Sequence, residues 1–162
     1  MNATYTEQRR PVDHYLGNYS EDHRNPTNQI IHWLCVPVIV WSVVAGLWVI
    51  PVPPGLGSPG LWAGLALVIA MGFYFRLSRP LALAMLVFLA GLMLLTHWLY
   101  GLLGAQVLLW SAVAAFVIAW VVQFIGHQIE GKRPSFLTDL SYLLIGPLWL
   151  LSKLFRRAGL SY

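Results

Sequence analysis

The chain has 162 residues, of which 58% are hydrophobic and only 10% charged, with a formal net charge of +4. Soluble domains carry about a quarter charged residues, so this composition excludes an ordinary soluble protein and indicates an integral membrane protein. The small basic excess bears on orientation in the lipid bilayer and predicts no nucleic-acid partner. We expect one all-α domain over residues 1–162, a polytopic membrane helix bundle.

The first 25 residues form a polar segment, expected in the cytoplasm, without the apolar core of a cleavable signal peptide. Asn25 is a suitable N-cap and Pro26 suits the first helical position, so a helix is expected to begin there. His32 then lies inside this helix, one turn after Asn28, whereas His23 precedes it on irregular chain. The Asn-Pro break lets His23 fold back toward His32, which predicts a polar site at the mouth of the bundle, because histidine at a membrane boundary needs a partner.

Two long stretches, Arg24 to Arg76 and Arg79 to Glu130, contain no Asp, Glu, Lys or Arg between their end residues. Each holds about 50 residues, and a transmembrane helix needs about 20, so each accommodates two spans and a turn. The four predicted spans cover residues 27–50, 61–75, 81–98 and 105–125, within a bundle over residues 26–154. The apolar segment 137–154 is broken by Gly146-Pro147, and we interpret it as packed or re-entrant rather than as a fifth span.

Basic residues occur before the first span, between the second and third spans, and after the fourth span. They are Arg9, Arg10, Arg24, Arg76, Arg79, Lys132 and Arg133, together with a basic tail of Lys153, Arg156 and Arg157, and the loops 51–60 and 99–104 have none. Because Lys and Arg favour the cytoplasmic side, both termini are expected there. This orientation places four histidines at the cytoplasmic face and the fifth at the opposite face. The four are His14, His23, His32 and His127, and the fifth is His97.

A second polar stretch, QFIGHQIEGKRPSF, follows the fourth predicted span. Gln123, His127 and Glu130 are spaced by four and three residues and therefore share one face of a continued helix. Lys132 and Arg133 behind them are suited to holding a carboxylate or a phosphate. A site built from both polar stretches combines three histidines with a nearby carboxylate and a cationic anchor.

The residues alone leave alternatives open. The three histidines fit a metal site or a buried polar network without metal, since their spacing lacks the specificity of a four-Cys zinc pattern. Lys132 and Arg133 fit a role in orientation equally well, and Asn28 and Gln123 fit bonds between helices. Two other classes are a metal-free structural membrane protein and a lipid or small-molecule transporter. A transporter is expected to place polar residues near the middle of the membrane, where these spans have almost none.

Two motifs in combination resemble the membrane 2-hydroxy fatty acid dioxygenase family, which is related to the fungal enzyme that performs α-oxidation in phytosphingosine breakdown. They are Tyr19-x3-His23-x-Asn25-Pro26-x-Asn28-x3-His32-x4-Pro37 and, about 90 residues later, Gln123-Phe-x-Gly126-His127-x2-Glu130-Gly-Lys-Arg-Pro134. The resemblance covers the chain from about Tyr15 to Leu150.

The resemblance implies an Fe(II)-dependent enzyme that uses O2 to cleave the C1–C2 bond of a 2-hydroxy fatty acid, giving a fatty acid one carbon shorter. It also implies a member in a bacterial inner membrane, or in the endoplasmic reticulum if the chain is eukaryotic. The acyl chain is expected between the spans. The expected site residues are His23, His32 and His127 as metal ligands and catalytic residues, Glu130 as a weaker metal ligand, and Arg133, Lys132 and Asn28 as substrate-binding residues.

Overall fold

The computed structural model describes residues 10–134, 139 and 141–162, and every regular element in these ranges is an α-helix. This confirms the expected all-α fold. Arg9 and the beginning of the predicted segment 137–154 lie outside the described residues. The helices are α1 (Pro11–Glu21), α2 (Pro26–Trp48), α3 (Leu61–Leu77), α4 (Arg79–Glu130) and α5 (Tyr142–Arg157).

The helix α2 begins where its local sequence predicts. Asn25 is extended, and its side-chain oxygen accepts a hydrogen bond from the Thr27 backbone N–H at 2.9 Å. Pro26 occupies the first helical turn, where its missing N–H loses no bond. The helix runs through Pro37 to Trp48 and is long and apolar enough to cross a membrane.

The helix α4 contains the third and fourth predicted spans in one element of 52 residues. Gly104 interrupts it with φ 74° and ψ 170°, so two helices meet at this residue. Glycine suits this position because it adopts positive φ without steric cost. A break at a single residue therefore replaces the loop predicted over residues 99–104. Among the described helices, α2 and α4 are long enough to span a bilayer, and α3 is a shorter apolar helix of 17 residues.

One end of the bundle is closed by α1 and α5, which pack against each other while α5 also contacts α2 and α4. The indole N–H of Trp149 in α5 donates to the hydroxyl of Ser20 in α1 at 2.8 Å. The Gly146-Pro147 pair is buried and does not end α5, which continues past it to Arg157. The described part of the segment interpreted as packed or re-entrant is thus a packed helix.

Large apolar side chains also face outward along the long helices. Ile69 is 77% exposed and Val87 is 74% exposed, on α3 and α4 respectively. Extended apolar surface of this kind is rare on soluble monomers, because water penalises it. It agrees with the membrane association that the two long apolar helices indicate.

Candidate metal centre

Three histidines meet where α2 begins and α4 ends. His23 lies on the connection between α1 and α2, His32 in α2, and His127 in the last turns of α4. All three are at most 5% exposed, and each offers one ring nitrogen within 4.8 Å of the other two. The structure therefore brings together the three histidines that the sequence singles out, and they could hold a metal ion.

Hydrogen bonds on the far side of two rings fix their tautomers. His23 Nδ1 lies 2.6 Å from the Tyr19 carbonyl oxygen, and His32 Nδ1 lies 2.9 Å from the Asn28 carbonyl oxygen. A carbonyl oxygen can only accept, so both Nδ1 atoms carry the proton and donate. In neutral imidazoles the Nε2 atoms then carry lone pairs, and these two atoms lie 3.0 Å apart. Two facing lone pairs repel, so this pair is arranged for an electron-poor partner between or beside the rings.

The third ring strengthens this interpretation. His127 Nδ1 is buried and has no hydrogen-bond partner among the described residues. Buried ring nitrogens are normally paired, because an unpaired one loses its hydration without compensation. Histidine ligands of metals typically donate their other ring N–H to a backbone carbonyl, as His23 and His32 do here. The donor set therefore fits a metal ion, and imidazole ligands suit iron among other transition metals.

Burial also sets the charge of His23. The pKa of this imidazole is lowered to about 4, mainly because the charged form loses hydration on burial and in smaller part by the neighbouring His127. The hydrogen bond to the Tyr19 carbonyl opposes this effect only in part. His23 is therefore neutral near pH 7, which is the form that binds a metal.

Glu130 does not join the three histidines. Its carboxylate accepts hydrogen bonds from the backbone N–H groups of Arg24 and Asn25, both at 2.9 Å. It also accepts a hydrogen bond from the Asn28 side-chain amide at 3.1 Å. The N–H groups at a helix start attract negative charge, and the loop carrying His23 leads directly into that start. The carboxylate thus ties the end of α4 to the His23 loop, and the structure does not place it among the candidate ligand atoms.

The residues expected to bind the substrate also lie elsewhere. The Lys132 ammonium donates to the Glu21 carbonyl at 2.9 Å and pairs with the Asp22 carboxylate at 3.1 Å. Arg133 is exposed and does not line the histidine pocket. Asn28 is fully buried behind His32, and its amide is held by Glu130. Asn28 thus bonds between helices, which is one of the alternatives that the sequence left open for it.

The remaining polar candidates are outside the cluster. His14 is exposed and lies 3.3 Å from the Asn18 amide. His97 is exposed beside the Trp48 ring, at the other end of α2 from His32. Four histidines were expected at one face, and three of them form the site.

A pocket of about 50 Å³ opens beside the three histidines. Its walls are largely apolar and come from α2, α4 and α5. Tyr19 forms one wall, stacked on His23 with ring centroids 4.1 Å apart, and burial raises the pKa of its phenol. An adjoining apolar groove shares Val36 and Pro147 with the pocket and continues past Phe88 between α2 and α5. The site therefore has a polar end at the histidines and an apolar end in the groove.

Contributions from α5 were not predicted from the sequence. The Lys153 ammonium donates to the Gln29 side chain at 2.6 Å and lies 3.9 Å from the centre of the Trp149 ring. Gln29 in turn donates to the His23 carbonyl at 2.9 Å. The sequence assigns Lys153 only to a basic tail, and no spacing signal relates it to His23, because the contact depends on how α5 packs.

Gly126 allows the close approach of α2 and α4 at the site. A Cβ at this position would overlap the Asn28 side-chain oxygen and lie 3.3 Å from two carbons of Ile31. We expect Gly126→Ala to lower the free energy of unfolding by about 1–3 kcal/mol, because packed helices must move apart, and to weaken metal binding. Thermal unfolding and metal titration would measure both effects.

The matched control is Gly91→Ala, which lies on the same helix with nothing within 4 Å of the added Cβ. Alanine there should leave metal binding unchanged and stabilise the helix slightly, since glycine is the poorer helix former by about 1 kcal/mol. Equal behaviour of the two variants would contradict the role given to Gly126.

A profile of the family described as 2-hydroxy-palmitic acid dioxygenase Mpo1-like matches residues 9–158. The chain is similar to the 2-hydroxy-palmitic acid dioxygenase MPO1 of Saccharomyces cerevisiae, with 28% identity over 148 residues, which cover 89% of this chain and 79% of the yeast protein. No solved structure matches the chain.

Proposed function

The chain belongs to the Mpo1-like family, and from this membership we propose that it is an Fe(II)-dependent dioxygenase that performs α-oxidation of 2-hydroxy fatty acids. The reaction cleaves the C1–C2 bond of the substrate with O2 and gives a fatty acid one carbon shorter and a one-carbon fragment that contains C1. The observation that carries the proposal is the buried pair of Nε2 atoms of His23 and His32, 3.0 Å apart with their lone pairs facing.

His23, His32 and His127 would hold the iron in this proposal. Three imidazole ligands leave positions open on the metal, and the bound iron would supply the activation of O2. The protein supports this chemistry by fixing two rings through backbone carbonyls, so that their Nε2 atoms stay unprotonated. The Tyr19 ring and α5 cover the histidines and limit the access of water.

The apolar groove beside the histidines suits the acyl chain of such a substrate. It lies between α2 and α5 and meets the histidine pocket at Val36 and Pro147. A carboxylic acid bound with its polar head at the histidines can continue its chain into this groove without crossing a polar surface. The groove supports a position for the acyl chain between α2 and α5, which is more specific than the sequence-based expectation.

Polar groups inside the long helices argue against the transporter alternative. Ser42 donates to the Val38 carbonyl and Thr96 to the Leu92 carbonyl, each within its own helix. These buried hydroxyls are therefore satisfied locally and offer no transport site. Polar residues near the middle of the membrane are expected in transporters.

We further propose that α2, α3 and the two halves of α4 each cross the membrane, with both termini in the cytoplasm, and that the membrane is a bacterial inner membrane. Two cysteine variants are made in a Cys35→Ser background, at exposed positions. Ser58→Cys should react with an impermeant thiol reagent added outside, whereas Arg79→Cys should react only when the reagent is added inside. Labelling in the opposite sense would contradict this orientation.

The proposed function is tested on protein purified without chelators. Metal analysis should find iron, and the protein should consume O2 with a 2-hydroxy fatty acid and release the acid one carbon shorter. The same acid without the 2-hydroxyl group serves as the control substrate and should give no shortened product. Iron-loaded protein that leaves the 2-hydroxy acid intact would overturn the proposal.

A further inference from the structure

Gln123 presents a buried amide that has no partner. The residue is 6% exposed, and its Nε2 has no hydrogen-bond partner among the described residues. It lies one helical turn before His127 on α4, and its side chain forms part of the wall of the histidine pocket. Burying an amide N–H without an acceptor is unfavourable, so a buried donor of this kind requires an explanation.

A bond between helices would be the simplest explanation, and Asn28 illustrates it. The Asn28 amide crosses from α2 to the Glu130 carboxylate at 3.1 Å. Gln123 lines the histidine pocket, where the α2 residues in the wall are His32, Val36, Ile39 and Val40. The three aliphatic side chains offer no acceptor, and the Nε2 lone pair of His32 belongs to the candidate metal centre, so we look for the acceptor for Gln123 in a bound molecule.

The chemistry of that molecule follows from what the pocket lacks. Among the described residues, no lysine or arginine lines it. Lys132, one of the cations expected at the substrate carboxylate, is occupied by Glu21 and Asp22. The oxygens of an acidic head group at the histidines would therefore depend on neutral donors of the pocket wall.

We propose that the Gln123 amide donates a hydrogen bond to a head-group oxygen of a 2-hydroxy acid bound at the histidines, and is a substrate-recognition residue. The inference rests on the proposed function, since it takes its ligand from there. It separates two roles on one face of α4: His127 belongs to the metal centre, and Gln123 one turn away belongs to the substrate.

The test compares Gln123→Met and Gln123→Glu with Gln106→Met, which makes the same change at an exposed position of α4. Methionine keeps the length of the side chain and removes the donor, whereas glutamate keeps the shape and repels an acid. We expect Gln123→Met to weaken binding of a 2-hydroxy fatty acid about 10- to 100-fold, the range for a hydrogen bond to a charged group. Gln123→Glu should weaken it at least as much, and Gln106→Met should not change it.

Three measurements are made on each purified protein: bound iron, equilibrium binding of the radiolabelled acid, and oxygen uptake. Bound iron should stay at the wild-type level in both Gln123 variants, while binding of the 2-hydroxy acid weakens and KM rises. If the Gln123 variants bind both the 2-hydroxy acid and the unsubstituted acid of equal length more weakly, the hydrogen bond is to the carboxylate. Loss confined to the 2-hydroxy acid places it on the hydroxyl group.

Unchanged binding in both Gln123 variants would overturn the inference, and so would a loss of iron that accounts for the loss of binding. The wild-type protein separates this failure from that of the proposed function. Wild-type protein that binds the acid but consumes no O2 counts against the dioxygenase, while a Gln123-dependent affinity still supports the inference. Wild-type protein that binds neither acid overturns the inference.

Discussion

Alanine at His23, at His32 or at His127 is expected to abolish oxygen uptake with a 2-hydroxy fatty acid and to lower the bound iron. The three ring nitrogens lie within 4.8 Å of one another, so each ring is a third of the candidate ligand set. Two imidazoles cannot replace the third, because no other imidazole, thiol or carboxylate lines the pocket among the described residues. Iron analysis and oxygen uptake on membrane-inserted protein would measure the two losses.

The matched controls are His14→Ala and His97→Ala. Both residues are exposed and outside the cluster, so their iron content and activity should stay near the wild-type values. Retention of the variants in the membrane separates loss of the metal from loss of the fold. Full iron occupancy after removal of any two of the three clustered histidines would refute the metal centre.

Glu130→Gln should reduce metal affinity or activity about 10- to 100-fold, the range for residues that orient metal ligands. The carboxylate accepts hydrogen bonds from the backbone of Arg24 and Asn25 and from the Asn28 amide. A glutamine amide turns one of its two accepting oxygens into a donor that faces these N–H groups. The loop that carries His23 would then lose part of its attachment to α4.

The measurement is metal affinity by competition with a chelator, alongside oxygen uptake at saturating iron. Glu21→Gln removes the same charge at an exposed position and should leave both values unchanged. Activity restored by excess iron would agree with a residue that positions the His23 loop. A complete loss of iron, as large as that expected for a histidine variant, would instead make Glu130 a metal ligand.

Local sequence was sufficient for the features that depend on short-range interactions. The start of α2 was predicted correctly because Asn25 and Pro26 satisfy the first backbone groups of the helix by themselves. Helices occur in all four predicted spans because long apolar stretches must satisfy their backbone internally. The approach of His23 to His32 follows from the Asn-Pro break, which reverses the chain over a few residues.

Tertiary structure decided which distant groups meet. His127 reaches the other two histidines because Gly126 lets α4 approach α2 closely, and only the packed helices show that the missing side chain leaves room for Asn28. In the same packing the Glu130 carboxylate accepts hydrogen bonds from backbone N–H groups, and Lys132 pairs with Asp22. By residue type alone, Glu130 fits a metal ligand and Lys132 fits a substrate anchor equally well. Sequence spacing relates residues within one helix, whereas the partner of a buried polar group depends on which helix faces it.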